Sequence, residues 1–267
     1  MAAPSSSPSS ATAPFFLLAF AITWGLQLPG VLAQGGLLPG DVQLYMPFAG
    51  LGIFGPLIAA LVLAWREGRG SGVRTLLRPL LRWRVHLGWY LMALLVPATL
   101  LALVLLGLNT GGRTGPVVYF PVNGAIGFAL VISLVEEVGW RGFALPRLQR
   151  RFGPFAASTL LGVLWYLWHL PMFLGMGVPL DLVLVMLLYF VGASLLMTWI
   201  YNGTEGSLLL MVLAHLGAHL NNSHRALPDE VAPLVAHAIV YAGLGLVVMR
   251  RALRTQPSAG VATIRNN

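Results

Sequence analysis

Long apolar runs recur along almost the whole chain, separated by short polar segments. These runs occupy residues 14–33, 44–65, 87–108, 117–140, 155–174, 182–201, 206–220 and 231–249. Most of them approach the roughly 20 residues that an α-helix needs to cross the hydrocarbon core of a bilayer. The pattern predicts an all-α polytopic membrane helix bundle with about eight transmembrane helices.

The overall composition agrees with a membrane protein and excludes several chemistries. Charged residues make up 9% of the chain, whereas a soluble domain carries about 25%. The net charge of +8 therefore indicates charged loops at a membrane rather than a nucleic-acid-binding surface. The absence of Cys and Lys excludes disulfides, thiolate metal ligands, cysteine nucleophiles and lysine-based catalysis.

All basic residues are Arg, and their distribution predicts the orientation of the helices. With eight spans, fourteen of them fall at the termini or in the segments 66–86, 141–154 and 202–205, and only Arg113 and Arg225 fall on the other side. The positive-inside rule then places both termini in the cytoplasm. We expect a multi-pass protein of the cell inner (plasma) membrane. The Arg residues of segment 66–86 either only set the orientation of the protein or also hold the segment along the inner leaflet by attraction to anionic lipid.

The two ends of the chain differ from the rest in composition. Residues 1–13 consist, after Met1, only of Ala, Ser, Pro and Thr, and they lack the positive charge that opens a cleaved signal peptide. We expect a disordered tail at 1–13, a single transmembrane helical domain at 14–249 and a disordered cytoplasmic tail at 250–267.

Three charged residues close the fourth apolar run, where a charge is costly and therefore informative. They are Glu136, Glu137 and Arg141, in VEEVGWRG. Glu137 and Arg141 are four residues apart, which predicts an ion pair on one helix face. Glu136 lies about 100° around the helix and is followed four residues later by Trp140, so it is free to face something else. A purely structural ion-pair cluster is the alternative.

Histidines within the apolar runs are the other candidates. His169 follows WYLW, and His215 and His219 are four residues apart, which places both rings on one helix face. Packed core residues and polar helix contacts show the same patterns. At about 1.5 Å per residue, Glu136, His169 and His215 lie roughly 22, 22 and 15 Å from the Arg-rich edge. The three side chains can therefore meet in one intramembrane cavity.

A carboxylate beside neutral imidazoles supports two chemistries, and the residues leave both open. In the first, Glu136 takes a proton from water, and a His or amide donor stabilises the oxyanion of a carbonyl substrate. In the second, a zinc ion acidifies the water, with ligands drawn from Glu136, His169, His215 and His219. The chain contains no HExxH, no GxSG-type serine site and no pair of intramembrane Asp residues, which excludes those hydrolase types.

Three motifs resemble those of the CPBP family, the CAAX-processing and bacteriocin-processing (Abi) membrane proteases that include Rce1-type prenyl-protein endopeptidases. EEVGWR at 136–141 is similar to the family's EExxxR, and WYLWH at 165–169 to its [F/W]xxxH. GSLLLMVLAHLGAH at 206–219 resembles the third segment, which ends in HxxxN. The resemblance covers residues 117–222 and includes the order of the motifs and an eight-helix layout.

The resemblance implies a role for each matching residue. Glu136 would activate water, with His169 and His215 as polar partners of that water and of the transition state. The supporting residues would be Glu137, Arg141 and Trp165. His219 stands where the family usually has Asn, which is expected to donate a hydrogen bond to the oxyanion. A His can also donate, or it can strengthen a metal site.

The function predicted is an intramembrane endopeptidase of the CPBP/CAAX type that hydrolyses a peptide bond of a membrane-associated protein or peptide. Glutamate-type chemistry without a required cofactor is favoured, and zinc dependence is the other option. The expected partners are this substrate and the lipid bilayer, without nucleic acid, and no pattern predicts an oligomeric state. The departure at His219 motivates a non-catalytic bacteriocin-immunity or partner-binding protein on the same fold. A proton-coupled transporter is a third hypothesis, but it lacks the expected inverted repeats.

Overall fold

A computed structural model describes residues 11–107, 124–221 and 231–255. Every regular element in these residues is helical, and they contain no β-strand. The α-helices, in chain order, are α1 (Thr12–Gln34), α2 (Met46–Leu51), α3 (Gly55–Leu77), α4 (Leu87–Gly107), α5 (Gly124–Glu137), α6 (Leu145–Trp168), α7 (Leu170–Gly175), α8 (Leu180–Gly203), α9 (Leu208–Leu220) and α10 (Val231–Thr255). A π-helix at Val138–Ala144 joins α5 to α6. The all-α class predicted from the apolar runs is confirmed for the described residues.

Five segments of the described chain are long and apolar enough to cross a membrane. They are Thr12–Gln34, Met46–Leu81, Leu87–Gly107, Leu180–Gly203 and Val231–Arg254. The chain is thus a multi-pass membrane protein. Helix α9 is apolar but has only 13 residues, and the N-terminal half of α6 carries three Arg. The total of eight crossings therefore stays a prediction.

The apolar run predicted at 155–174 contains two helices rather than one. Helix α6 ends at Trp168, and α7 begins at Leu170 with Pro171 in its first turn. Proline is tolerated there because the first N–H groups of a helix have no intrahelical acceptor. The break leaves His169 at the junction of the two helices. The last helix, α10, continues to Thr255, six residues beyond the predicted end of the transmembrane domain at residue 249.

Helix directions follow from the contacts between neighbours. Along α1, Ala19 faces Gly55, Thr23 faces Gly52 and Gly30 faces Tyr45, which is an antiparallel order. The Thr23 hydroxyl also donates to the Gly52 carbonyl at 2.7 Å. The start of α1 therefore lies at the end of the bundle where α3 finishes.

Helices α8 and α10 run in parallel and pack closely. Tyr189 contacts Tyr241 with ring centroids 4.8 Å apart, and further along α8 the backbone of Gly192 touches Ala242 and Gly245. A β-carbon on Gly192 would lie 2.4 Å from the Ala242 nitrogen, so only glycine fits this seam. The C-terminal ends of α8 and α10 consequently share one end of the bundle.

Ion pairs tie the Arg-rich segments together at that same end. Arg147, on the first turn of α6, pairs with Glu67 of α3. Arg82, before α4, pairs with Glu205 after α8 at 3.0 Å. The Ser207 hydroxyl donates to the Arg82 carbonyl and caps α9 by accepting from the Leu210 N–H. One end of the bundle thus collects the starts of α4, α6 and α9 and the ends of α3, α8 and α10.

Candidate active site

The two adjacent glutamates lie at the end of α5 and are both buried. Glu136 is 2% exposed and Glu137 is fully buried. The chain continues directly into the π-helix, an element that occurs frequently at functional sites. Gly139 of the π-helix lies against Pro56 of α3, where a β-carbon would come within 2.5 Å of the proline ring. This close contact sets the position of the glutamates relative to α3.

Glu137 is held by two donors, both of which contact its Oε1 atom. Arg141 Nη1 donates at 2.7 Å, which is the ion pair expected from the i,i+4 spacing. His215 Nδ1 of α9 lies 2.8 Å from the same oxygen. A carboxylate oxygen only accepts, so this His215 nitrogen carries the proton and Nε2 is the remaining nitrogen of the ring. Arg141 is fully buried, so the pair with Glu137 supplies the opposite charge that its burial requires.

Glu136 is held by two neutral donors instead. Trp165 Nε1 of α6 donates to Oε2 at 2.7 Å, and Trp140 Nε1 of the π-helix donates to the same oxygen at 3.3 Å. An indole N–H donates a hydrogen bond without carrying a charge. Glu136 is therefore oriented without being neutralised by an ion pair and can act as a base.

His169 directly follows the end of α6 and contacts Trp165, the residue that bonds to Glu136. Its Nδ1 lies 2.8 Å from the Trp165 carbonyl, and because a carbonyl oxygen can only accept, Nδ1 carries the proton in this contact. The ring packs on Phe190 of α8, with centroids 4.6 Å apart. Trp165 thus links His169 to Glu136 through its carbonyl and its indole N–H.

The ring of His219 stacks on the ring of His215, which lies one turn earlier in α9. The two rings are 4.7 Å apart and nearly parallel, at 9°. The sequence spacing of four residues thus brings both imidazoles onto the face of α9 that points towards the glutamates.

Trp165 occupies the centre of this cluster. Besides its bond to Glu136, its ring lies 5.3 Å from His215 and 6.0 Å from His169. The Arg141 guanidinium lies 4.5 Å above it. Four of the residues predicted from the sequence therefore surround one indole ring, namely Glu136, Arg141, His169 and His215.

Trp140 is a site residue that the sequence motifs did not single out. A signal was present, because Trp140 lies four residues after Glu136 and an indole N–H is a hydrogen-bond donor. Its ring is fully buried and packs against Phe16 and Trp168. The other contact that the motifs did not predict is the Glu137–His215 bond, which joins residues 78 positions apart.

The described residues contain no group of three His, Asp or Glu side chains arranged to hold a metal ion. The Nδ1 atoms of His169 and His215 already donate to other groups. A metal-ligating His usually donates its other ring N–H to a carboxylate or a carbonyl, so these bonds leave Nε2 of each ring available to a metal. Zinc binding by Glu136, His169 and His215 therefore stays a prediction.

The buried carboxylates and imidazoles thus form a polar site inside the helix bundle of a multi-pass membrane protein. Comparison with known proteins then shows which family this part of the chain is similar to. Residues 118–221 match the family described as "Type II CAAX prenyl endopeptidase Rce1-like". The resemblance seen in the three motifs is thereby confirmed over this region.

One relative is similar over a longer stretch. It is a protein of Methanococcus maripaludis named "CAAX prenyl protease 2", with 29% identity over 172 residues. The aligned region covers 55% of this chain and 62% of that protein, which is less than two thirds of its length.

Proposed function

We propose that this protein is an intramembrane endopeptidase in which Glu136 activates a water molecule for attack on a peptide bond of a membrane-associated protein or peptide. The observation that carries the proposal is the difference between the two buried glutamates. Glu137 is bonded to Arg141 and His215, whereas the donors to Glu136 among the described residues are neutral indole N–H groups. Glu136 is therefore the carboxylate that can accept a proton.

The reaction proposed is general-base hydrolysis. Glu136 accepts one proton of the water while the water oxygen bonds to the carbonyl carbon. The second water hydrogen is held by the Nε2 of His169 or His215, since the Nδ1 atoms of both rings donate elsewhere. The tetrahedral intermediate then breaks its C–N bond, and the proton on Glu136 passes to the leaving nitrogen.

His219 is proposed as the donor that stabilises the oxyanion of this intermediate. Its ring stacks on the ring of His215 with centroids 4.7 Å apart, and His215 is one of the two residues proposed to bind the water. A ring N–H of His219 then takes the part that an Asn amide would take at this position. Glu137, itself paired with Arg141, holds His215 in place through the bond to Nδ1.

We further propose eight membrane crossings with both termini in the cytoplasm and a location in the cell inner (plasma) membrane. The common end shared by the Arg-rich segments and by the ends of α8 and α10 supports this orientation. Residues 14–249 would form one transmembrane domain between two polar tails.

The decisive experiment measures peptide cleavage by the purified protein and by Glu136→Gln in detergent. The probes are a fluorogenic farnesylated peptide with a C-terminal CAAX sequence and unprenylated fluorogenic peptides with a transmembrane segment. The prenylated probe is included because the relative from Methanococcus maripaludis is named a CAAX prenyl protease. We expect cleavage of at least one probe and a decrease of about 10²–10⁴-fold in Glu136→Gln, the usual contribution of a general base. Equal rates for the two proteins would refute the proposal.

A chelator added to the same assay separates the two chemistries. The glutamate mechanism predicts no loss of activity with EDTA or 1,10-phenanthroline. Loss that zinc restores would instead show a metal-dependent hydrolase.

His219 in place of the family Asn favours one second candidate, a non-catalytic partner-binding or immunity protein on the same fold. This function predicts that Glu136→Gln retains the cellular phenotype of the unmodified protein. Loss of the phenotype together with loss of peptide cleavage would rule it out.

A further inference from the structure

The two indole donors to Glu136 reach the same carboxylate oxygen from different elements. Trp165 belongs to α6 and Trp140 to the π-helix, and both bond to Oε2. Neither indole bonds to Oε1 of Glu136. The two oxygens of this carboxylate are therefore in different environments.

Both donors are fixed by the packing of their rings. Trp140 lies edge-on to Phe15 at 5.6 Å and parallel to Phe16 at 6.1 Å. Trp165 lies edge-on to Phe190 at 4.7 Å and beneath the Arg141 guanidinium. Neither indole can turn its N–H group away from Glu136 without disturbing these contacts.

We propose that Trp140 and Trp165 are positioning residues that lock Oε2 of Glu136, so that Oε1 is the oxygen that receives the proton from water. The inference rests on the proposed function and adds that the two carboxylate oxygens have different roles. The terminal torsion of a Glu side chain is broad and roughly two-fold, so without these donors the carboxylate could present either oxygen.

The donors also act on the charge of Glu136. An N–H group bonded to a carboxylate stabilises its charged form, which is the form that works as a base. Removing a donor disfavours that form. The acidic limb of the pH–activity profile, where activity rises with pH, should then move to higher pH. The loss of activity relative to the unmodified protein should become smaller as the pH rises.

The test replaces each Trp by Phe, which keeps an aromatic ring and removes the N–H group. For Trp165→Phe we expect kcat/KM at pH 7 to fall about 10- to 100-fold, the range for a hydrogen bond to a charged group. On the rising, acidic part of the profile, a tenfold loss at a given pH corresponds to a displacement of the profile by about one pH unit. Trp140→Phe should show a smaller displacement because its bond is longer, at 3.3 Å.

Trp168→Phe is the matched control. Trp168 is also buried on α6, and its N–H also makes a 2.7 Å bond, but to the Thr23 hydroxyl instead of Glu136. The Trp168→Phe substitution should change activity by the same factor at every pH. A uniform loss in Trp165→Phe, or a displacement of the limb in Trp168→Phe, would overturn the inference.

Infrared difference spectra against Glu136→Gln give a readout that does not need activity. The carboxylate stretching bands assigned to Glu136 should shift in Trp165→Phe and stay in place in Trp168→Phe. Unchanged bands in both variants would contradict the inference even if both are inactive. Retained activity of Glu136→Gln would instead refute the proposed function, so the two failures are distinguishable.

Discussion

At the scale of single residues, the charge of the hydrogen-bond partners distinguishes two adjacent and equally buried glutamates. Glu137 shares one oxygen between the guanidinium of Arg141 and the imidazole of His215. In the part of the chain that the structure describes, Glu136 accepts from two indole groups. Burying a charge is costly unless it is compensated, so Glu137 and Arg141 depend on each other for stability.

Removing the charge of Glu137 should therefore destabilise the protein far more than the same change at Glu136. Glu137→Gln leaves Arg141 buried without its counter-ion, and we expect a loss of about 3–5 kcal/mol. Glu136→Gln keeps an acceptor oxygen for the indoles and serves as the isosteric control. Thermal unfolding in detergent measures both variants. Equal melting temperatures for the two would contradict the assignment of Glu137 as the structural member.

His219 allows a second test at this scale. If its N–H stabilises the oxyanion, His219→Ala should lower kcat about 10²–10³-fold, the usual effect of losing one such donor. His219→Asn supplies an amide donor and should recover most of the activity. An Ala variant as active as the unmodified protein would remove His219 from the mechanism.

At the scale of elements, the π-helix at Val138–Ala144 connects the glutamates to the rest of the bundle. It carries Trp140 and Arg141, and its Gly139 lies against the backbone and ring of Pro56. The site is thus built on the contact between this element and α3.

Gly139→Ala should disturb both folding and the site. The new β-carbon would lie 2.5 Å from the Pro56 β-carbon and 2.8 Å from its carbonyl group, so the helices must separate. Overpacking of this kind costs typically 1–3 kcal/mol, and kcat should fall as well. Gly127→Ala on α5 is the control, because no atom of the described residues lies within 4 Å of the position that its new β-carbon would take. A variant at Gly139 with unchanged melting temperature and activity would show that the contact is unimportant.

At the scale of the whole molecule, the helix directions bring the Arg-rich segments to one end of the bundle. The loop after α1 and the turn after α7 lie at the opposite end, where Gly175 packs near Val31. If the positive-inside rule holds, the first end faces the cytoplasm.

The absence of cysteine from the chain makes this orientation directly measurable. Single substitutions Leu37→Cys and Met176→Cys place thiols at exposed positions of one end, and Ser71→Cys places one at the other. In intact spheroplasts a membrane-impermeant maleimide should label the first two and leave the third unlabelled until lysis. The reverse pattern would place the Arg-rich end outside the cell.

Much of the molecule follows from patterns that are local in the chain. Apolar runs of helical length establish the all-α membrane class, since a helix in lipid satisfies its own backbone hydrogen bonds. The i,i+4 spacing predicts the Glu137–Arg141 pair and the stacked His215 and His219, because such neighbours share a helix face. The order of the motifs and the excess of Arg in certain segments are likewise evident from the sequence alone.

Contacts between distant segments were decided only by tertiary structure. The bond from Trp165 to Glu136 spans 29 positions and that from His215 to Glu137 spans 78. Such partners depend on how helices cross and on which small residues allow close approach, as at Gly139 and Gly192. Helical periodicity tells which residues share a face, but the packing of whole helices determines what each face meets. For this reason the sequence by itself determined the membrane class and the candidate residues, and only the fold separated the ion-paired glutamate from the one held by neutral donors.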